Sequence, residues 1–430
     1  MNKPVLQVAL DFVDLERAIE VAREAIEGGV NWIEIGTPLI KSEGLNAVRA
    51  MRRAFPNHKI IADMKTIDAG RTEVETAAKA GANIIDVLGA SSDATIAECV
   101  EAARNYGAEI VVDMIEVADP VERARAAEAA GANYIAVHTA IDVQMVGGDP
   151  FEVLEKVAGA VDIPVACAGG VNSETAARAI EHGARIVIVG GAIIKSADAK
   201  AAAAEIKNAM LTGVAGETTL YKRVDDAGIR EALMRVSCAN ISDAMHRTGD
   251  LAGLRPVTHG VKIAGPVVTV RTYPGDWAKP VEAIDVAGEG DVIVIDAGGR
   301  GPAMWGELAT HSAIGRKIAG VVADGAVRDT PEIRELRFGV WTRLITPTAG
   351  EPKGFGEINA PIKIAGVRIH PGDWAVGDDD GVVIIPKARA VEFANRAMDV
   401  LEKENRLRGE IQSGSTLSQV AYLEKWEKKK

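Results

Sequence analysis

Asp11, Glu34, Asp63, Asp86 and Asp113, with Lys65, Asp68 and His138, each stand at or just beyond the end of a short apolar run in the first third of the chain. Carboxylates are costly to crowd unless a metal ion or a substrate offsets their charge. Six or more charged side chains at matching strand ends therefore mark a binding rim rather than scattered surface residues. Two further apolar runs end in Gly169-Gly170 and Gly190-Gly191. Turns of that kind leave backbone N–H groups open to a phosphate. A second constellation lies far downstream, where Trp305-Gly306-Glu307-Leu308 precedes Arg328-Asp329. An arginine after a glycine-containing turn can grip a carboxylate bidentately, and an adjacent aspartate can hold a hydrated metal. As spacing alone, that pair equally fits a surface salt bridge.

The elements that must position the first set repeat. Gly28–Gly36, Ala80–Gly89, Tyr106–Asp113, Ala130–His138 and His182–Gly191 each read as a small-residue turn followed by an apolar run. Between them lie Ala/Glu/Arg stretches with helical periodicity, such as Val121–Ala130 and Ser173–Ile180. Adding Val5–Leu10, Lys59–Asp63 and Pro164–Ala168 gives eight strands, each followed by a helix, in roughly 210 residues. That is an α/β chain whose first part, residues 1–210, is a (β/α)₈ TIM barrel; a doubly wound open sheet is the rival. In a barrel these charges sit at the C-terminal ends of the strands, and both Gly-Gly pairs follow the last two strands, where phosphates are commonly held.

The repeat stops near Asn208. Residues 211–226 read as a linker, and residues 227–430 as a mixed, β-rich α/β domain of the swivelling β/β/α type. Helices are expected at Ile229–Arg235 and Ser242–His246, strands near Val267–Arg271, Asp291–Asp296 and Val321–Ala323, and a charged helical tail from Ala388 to Lys430. The final Lys428-Lys429-Lys430 reads as a solvated terminus.

Bulk composition agrees with two domains. The chain has 430 residues, 4% aromatic, with a formal net charge of −12, so general nucleic-acid binding is disfavoured. Cys99, Cys167 and Cys238 form neither a zinc spacing nor a disulfide framework, which predicts a reducing, cytoplasmic setting. No apolar stretch approaches the ~20 residues of a membrane span, and the N-terminus carries no leader pattern.

Asp63-Met64-Lys65-Thr66-Ile67-Asp68 matches the Asp-x-Lys-x-x-Asp motif of the orotidine-monophosphate-decarboxylase superfamily. Leu6–Asp11, Ile33–Pro38 and Ala168–Val171 resemble the branch that contains 3-hexulose-6-phosphate synthases and 3-keto-gulonate-phosphate decarboxylases. Val137–Asp142 is similar to the synthases, because the arginine usual in the decarboxylases is absent between Thr139 and Asp142. The resemblance implies an aldol reaction between formaldehyde and ribulose 5-phosphate. Glu34 and Asp63 would hold Mg²⁺ or another divalent cation, His138 would move protons, and Lys65 would hydrogen-bond the substrate and offset the carboxylates. Asp11 and Asp113 would bind hydroxyls, Gly169, Gly170, Gly190 and Gly191 would bind the phosphate, and Asp68 would reach a neighbouring subunit's site. No role is assigned to Asp86.

From about Asp226 onward the chain resembles the family shared by the regulator of ribonuclease activity A and class II 4-hydroxy-4-methyl-2-oxoglutarate aldolases, through Ser237–Ala244, Trp305–Leu308 and Gly320–Asp329. In the aldolases Arg328 would bind the carboxylate of a pyruvate-type 2-oxo acid, Asp329 would hold the metal, and Gly306, Glu307 and Leu308 would meet the substrate. The family also contains a protein-binding regulator, so a regulatory or assembly role is the alternative. The resemblances imply a homo-oligomer with dimeric barrels and trimeric C-terminal domains.

Overall fold

The computed structural model describes residues 3–218, 220–421 and 423. Lys428-Lys429-Lys430 lies outside them. Two compact units are present, one comprising Met1–Tyr221 with Lys403–Lys430 and the other Lys222–Glu402.

The first unit is a closed barrel of eight parallel strands: β1 (Val5–Leu10), β2 (Trp32–Ile35), β3 (Lys59–Thr66), β4 (Ile84–Leu88), β5 (Glu109–Asp113), β6 (Tyr134–His138), β7 (Val165–Ala168) and β8 (Ile186–Val189), with β8 returning to pair β1. Alternate residues face inward. Val5, Trp32, Ile61, Ile84, Val111, Tyr134, Ala136, Ala166 and Ile186 pack as one cluster inside the barrel. The other face of each strand packs under the helices in a larger core that includes Leu6, Val8, Leu10, Ile33 and Ile35. Strands buried on both faces read as near-continuous apolar runs for this reason. Helix ends at Gly81 (φ 111°) and Gly131 (φ 97°) use the left-handed cap that the repeated small-residue turns predict.

The N-terminal mouth of the barrel is filled. Lys59 Nζ lies 2.5 Å from Glu109 Oε2 and 4.9 Å from the centre of the Trp32 ring, and Trp32 meets Tyr134 edge to face at 5.6 Å. This end is a packed floor, so the chemistry is confined to the opposite rim.

The second unit carries β9 (Arg255–Pro256), β10 (Ile263–Arg271), β11 (Val292–Asp296), β12 (Ala303–Trp305), β13 (Gly320–Val327), β14 (Val340–Ile345), β15 (Glu357–Ile358), β16 (Ile362–Ile364), β17 (Val367–Ile369), β18 (Trp374–Asp378) and β19 (Gly381–Ile385). Its main sheet runs β19-β18-β10-β11-β13-β14-β9, with β12 beside β13 and β15 beside β10, and parallel and antiparallel pairs are mixed. The strands expected at Val267–Arg271, Asp291–Asp296 and Val321–Ala323 are the cores of β10, β11 and β13. One expectation is corrected: the helix placed at Ser242–His246 runs instead from Cys238 to Ala244. Ser237 and Asn240 form a reciprocal capping box that starts it early, and His246 and Arg247 adopt positive φ just after its end. The tail forms a helix over Ala390–Gln412 and a short one over Leu417–Val420. No helix among the described residues is long and apolar enough to cross a membrane.

Candidate active site

Period-two alternation carries the barrel's interior positions up to its C-terminal rim. Glu34 follows Trp32 by two residues, Asp63 follows Ile61, Asp86 follows Ile84, Asp113 follows Val111 and His138 follows Ala136. The inward alternation that buries the apolar layer below therefore gathers these groups above it.

Asp63 and Lys65 are set by an irregularity in β3. Its register against β4 shifts between Ala62 and Thr66, and Lys65 takes φ +47°. A non-glycine residue held there stores roughly 1–3 kcal/mol of strain, which is typical of functional positions. The result brings Lys65 Nζ to 2.9 Å from Asp63 Oδ1 and 3.1 Å from Oδ2, and to 3.6 Å from Asp113 Oδ2. Burial works against the Lys65 charge, but Asp63, Asp86 and Asp113 outweigh it and hold the ammonium above its ordinary pKa.

Asp63 is further fixed by Thr37, whose backbone N–H donates to Oδ2 at 3.1 Å and whose hydroxyl lies 2.7 Å from the same atom. Gln7 Nε2 donates to Glu34 Oε2 at 2.5 Å. Burial, reinforced by Asp63 and Asp11, pushes the Glu34 carboxyl well above the usual carboxylate range. Asp113 is engaged on both oxygens: Ile115 N–H donates to Oδ1 at 2.9 Å, and His138 Nδ1 lies 2.9 Å from Oδ2. With the carboxylate accepting, Nδ1–H donates, which leaves Nε2 as the nitrogen able to take a proton. Asp86 is buried within the field of Asp113, Asp63 and Lys65, and its Oδ1 has no hydrogen-bond partner.

Asp11 stands at the open edge, where a Cβ on Gly36 would come within 2.2 Å of its Oδ1 and one on Gly190 within 3.4 Å of its Oδ2. The final two strands end in the paired glycines. Gly169 (φ 101°) has no room for a side chain, since a Cβ would meet the Thr139 carbonyl at 2.6 Å. Gly190 caps a single helical turn, Gly191–Ile194, and Lys195 Nζ lies 3.5 Å from where a Cβ of Gly191 would be. Asp68 is exposed on the loop after β3 and does not join this group within one chain.

Sequence reasoning missed Gln7, Thr37 and Lys195. Gln7 had a legible sign, a polar residue at an inward position of β1; Thr37 and Lys195 are read only from contacts.

The carboxylates fit a hard divalent cation. Burial, with the neighbouring Asp63 carboxylate adding to it, raises the proton affinity of Asp11 and Glu34, which a bound cation would relieve. Among the described residues no three His, Cys, Asp or Glu side chains converge to hold a metal alone. Glu34 and Asp63 would thus share a Mg²⁺ with water and substrate oxygens, its ordinary habit.

In the second unit, Asp329 takes φ +55° directly after β13, and its Oδ2 accepts the Glu307 N–H at 3.2 Å and lies 3.4 Å from Arg328 Nε. Gly306 is needed there, because a Cβ would sit 2.5 Å from Asp329 Oδ2. Gly306, Glu307, Arg328 and Asp329 are therefore brought together. Leu308 is 77% exposed and stands outside that group. His311, which the sequence did not single out, places Nε2 2.9 Å from Glu307 Oε1 one helical turn on.

Two family models match the chain. Residues 4–206 match the model described as Orotidine 5'-phosphate decarboxylase / HUMPS family, and residues 238–384 the model described as RraA-like, Aldolase/RraA. The first half is 43% identical over 209 residues to the 3-hexulose-6-phosphate synthase of Bacillus subtilis (strain 168), covering 48% of this chain and 99% of that protein. It is 40% identical over 205 residues to the 3-hexulose-6-phosphate synthase of Mycobacterium gastri, with 48% and 99% covered. The solved structure of the RNA-processing inhibitor RraA from Thermus thermophilis is 31% identical, with 35% of this chain and 93% of that one covered and a TM-score of 0.33.

Proposed function

The chain belongs to the orotidine 5'-phosphate decarboxylase / HUMPS family in its first half and carries an Aldolase/RraA domain in its second, and from that membership we propose that the barrel joins formaldehyde to D-ribulose 5-phosphate or runs the same aldol reaction backwards. It is a lyase. The observation that carries the reading is the His138–Asp113–Lys65–Asp63 constellation above a closed floor.

The substrate's phosphate lies against the N–H groups of Gly169-Gly170 and Gly190-Gly191, with Lys195 adding positive charge. That anchorage places the ketone end over the carboxylates. Glu34 and Asp63 would hold Mg²⁺, which when bound would supply Lewis acidity to the oxygens at the substrate's ketone end. Lys65 donates a hydrogen bond to the same oxygens. His138 Nε2 takes the C1 proton, with Asp113 fixing the ring's orientation. The carbon that lost the proton then attacks the formaldehyde carbon, and the carbonyl π pair moves onto the formaldehyde oxygen. That oxygen takes the proton from His138 Nε2, and Asp11 at the rim binds a hydroxyl. Asp68, exposed on its loop, reaches a second copy of the chain. All three cysteines are buried and free, which supports a reducing, cytoplasmic setting.

The test is Mg²⁺-dependent loss of formaldehyde with ribulose 5-phosphate, comparing wild type with Asp63→Ala. Loss in wild type alone is expected. Release of CO₂ from 3-keto-gulonate phosphate faster than the aldol reaction would replace this reading with the decarboxylase one.

For the second domain, the grouping of Glu307, Arg328 and Asp329 supports a metal-dependent cleavage or decarboxylation of a pyruvate-type 2-oxo acid. Arg328→Ala should abolish pyruvate release and leave the barrel's aldol rate unchanged. Absence of any such release from wild type would leave a regulatory or assembly role.

A further inference from the structure

We propose that Arg406 is a positioning residue for the phosphate-binding turn of the barrel, so that the C-terminal helix sets the enzyme's affinity for its phosphorylated substrate. The proposal rests on the reading that Gly190-Gly191 receive the phosphate.

The turn in question, Gly191–Ile194, is one helical turn long. So short a helix has no stability of its own, because nucleation fixes several dihedrals for a single hydrogen bond. Inside the turn Ile194 N–H reaches the Gly190 carbonyl and Lys195 N–H the Gly191 carbonyl. At the opposite end from the glycines, the carbonyls of Ile194 and Ser196 both accept from Arg406 Nη1, the latter at 3.1 Å. The Ile194 carbonyl is one of those left over at any helix end, and Ser196 lies just beyond the cap.

Arg406 belongs to the same compact unit as the barrel, and its side chain is only 11% exposed. Its Nε donates to Glu410 Oε1 at 3.2 Å, and Glu410 is paired in turn with Arg17 on the helix Leu15–Glu27. That helix follows Asp11 in the chain. A guanidinium that holds two carbonyls at the end of the turn opposite the glycines favours one arrangement of the turn. Nothing in the proposed chemistry uses Arg406, so a burial this complete calls for another role.

The experiment uses the full chain. Arg406→Ala should raise KM for ribulose 5-phosphate and the competitive Ki of inorganic phosphate together, each about tenfold, as expected for loss of charge-assisted hydrogen bonds that preorganise the turn. kcat and KM for formaldehyde should stay within about twofold, and Arg406→Lys should recover part of the loss. Should Arg406→Ala fail to fold, Glu410→Gln loosens the same arginine by removing its carboxylate partner while keeping an amide oxygen as acceptor, and it should move KM and Ki in the same direction. Unchanged KM and Ki in a variant with a lowered melting temperature would overturn the proposal and leave Arg406 as a staple only. A fall in kcat without a change in KM would also overturn it. If inorganic phosphate does not compete with ribulose 5-phosphate in wild type, the phosphate reading itself fails, and the role of Arg406 fails with it.

Discussion

Asp86 is the residue at which the barrel's mouth is least satisfied. Burial raises its carboxyl well above the ordinary range, Asp113 and Asp63 add to the effect, and Lys65 opposes it. A raised folded-state pKa means that the folded protein holds the proton more tightly than the unfolded chain does. The associated stability is present at low pH and is lost as pH rises through the raised value. Asp86→Asn should therefore raise the melting temperature at pH 8, by roughly 2–4 °C per kcal/mol of repulsion removed. The gain should shrink as pH falls toward the ordinary carboxylate range. Equal gains at pH 8 and pH 4 would instead point to packing. His138→Gln should lower kcat by about 10²–10⁴, with KM for the sugar phosphate little changed; steady-state kinetics read both. The sequence marked His138 and Asp86 alike by position. Only the contacts separate them, because a strand-end pattern gives direction but not the partner each oxygen or nitrogen finds.

Between strands and loops, placement depends on a few backbone departures. Gly36 closes β2 and opens the helix Thr37–Glu43. Gly36→Ala would drive a methyl group against Asp11 Oδ1 and the Leu10 carbonyl. We expect at least a tenfold loss in kcat/KM, about 1.4 kcal/mol, with the far-UV spectrum retained; an active variant would show that Asp11 is free to move. The eight strands were legible because each is an apolar run bounded by turn residues, and their doubly buried faces leave no other home for such runs. The break in β3 was not, since the sequence ends that strand at Asp63 whereas it runs on to Thr66, and the left-handed Lys65 has no local sequence cause. The same limit explains the displaced helix at Cys238–Ala244. Its start depends on a two-way capping contact that Ser237 and Asn240 make only once the chain has turned.

At the scale of the whole chain, the change in texture near residue 210 falls between the two family regions, residues 4–206 and 238–384. The sequence reads all of 227–430 as the second domain, whereas Arg406 groups with the barrel unit. Its partners carry no sequence sign, since more than 200 residues separate it from Ile194 and no periodicity reports so distant a pairing. If the barrel pairs through Asp68 and the second domain closes in threes, light scattering should give a hexamer, and a monomer at assay concentration would remove that assembly. The filled floor formed by Lys59, Glu109, Trp32 and Tyr134 has a further consequence for traffic. A vestibule with one doorway makes its visitors queue: the bulky pentose phosphate and the one-carbon aldehyde enter and leave by the same side, and the six-carbon product fills the space of both. Product should therefore exclude ribulose 5-phosphate competitively, and a slow departure would throttle the forward flux whatever the speed of bond formation.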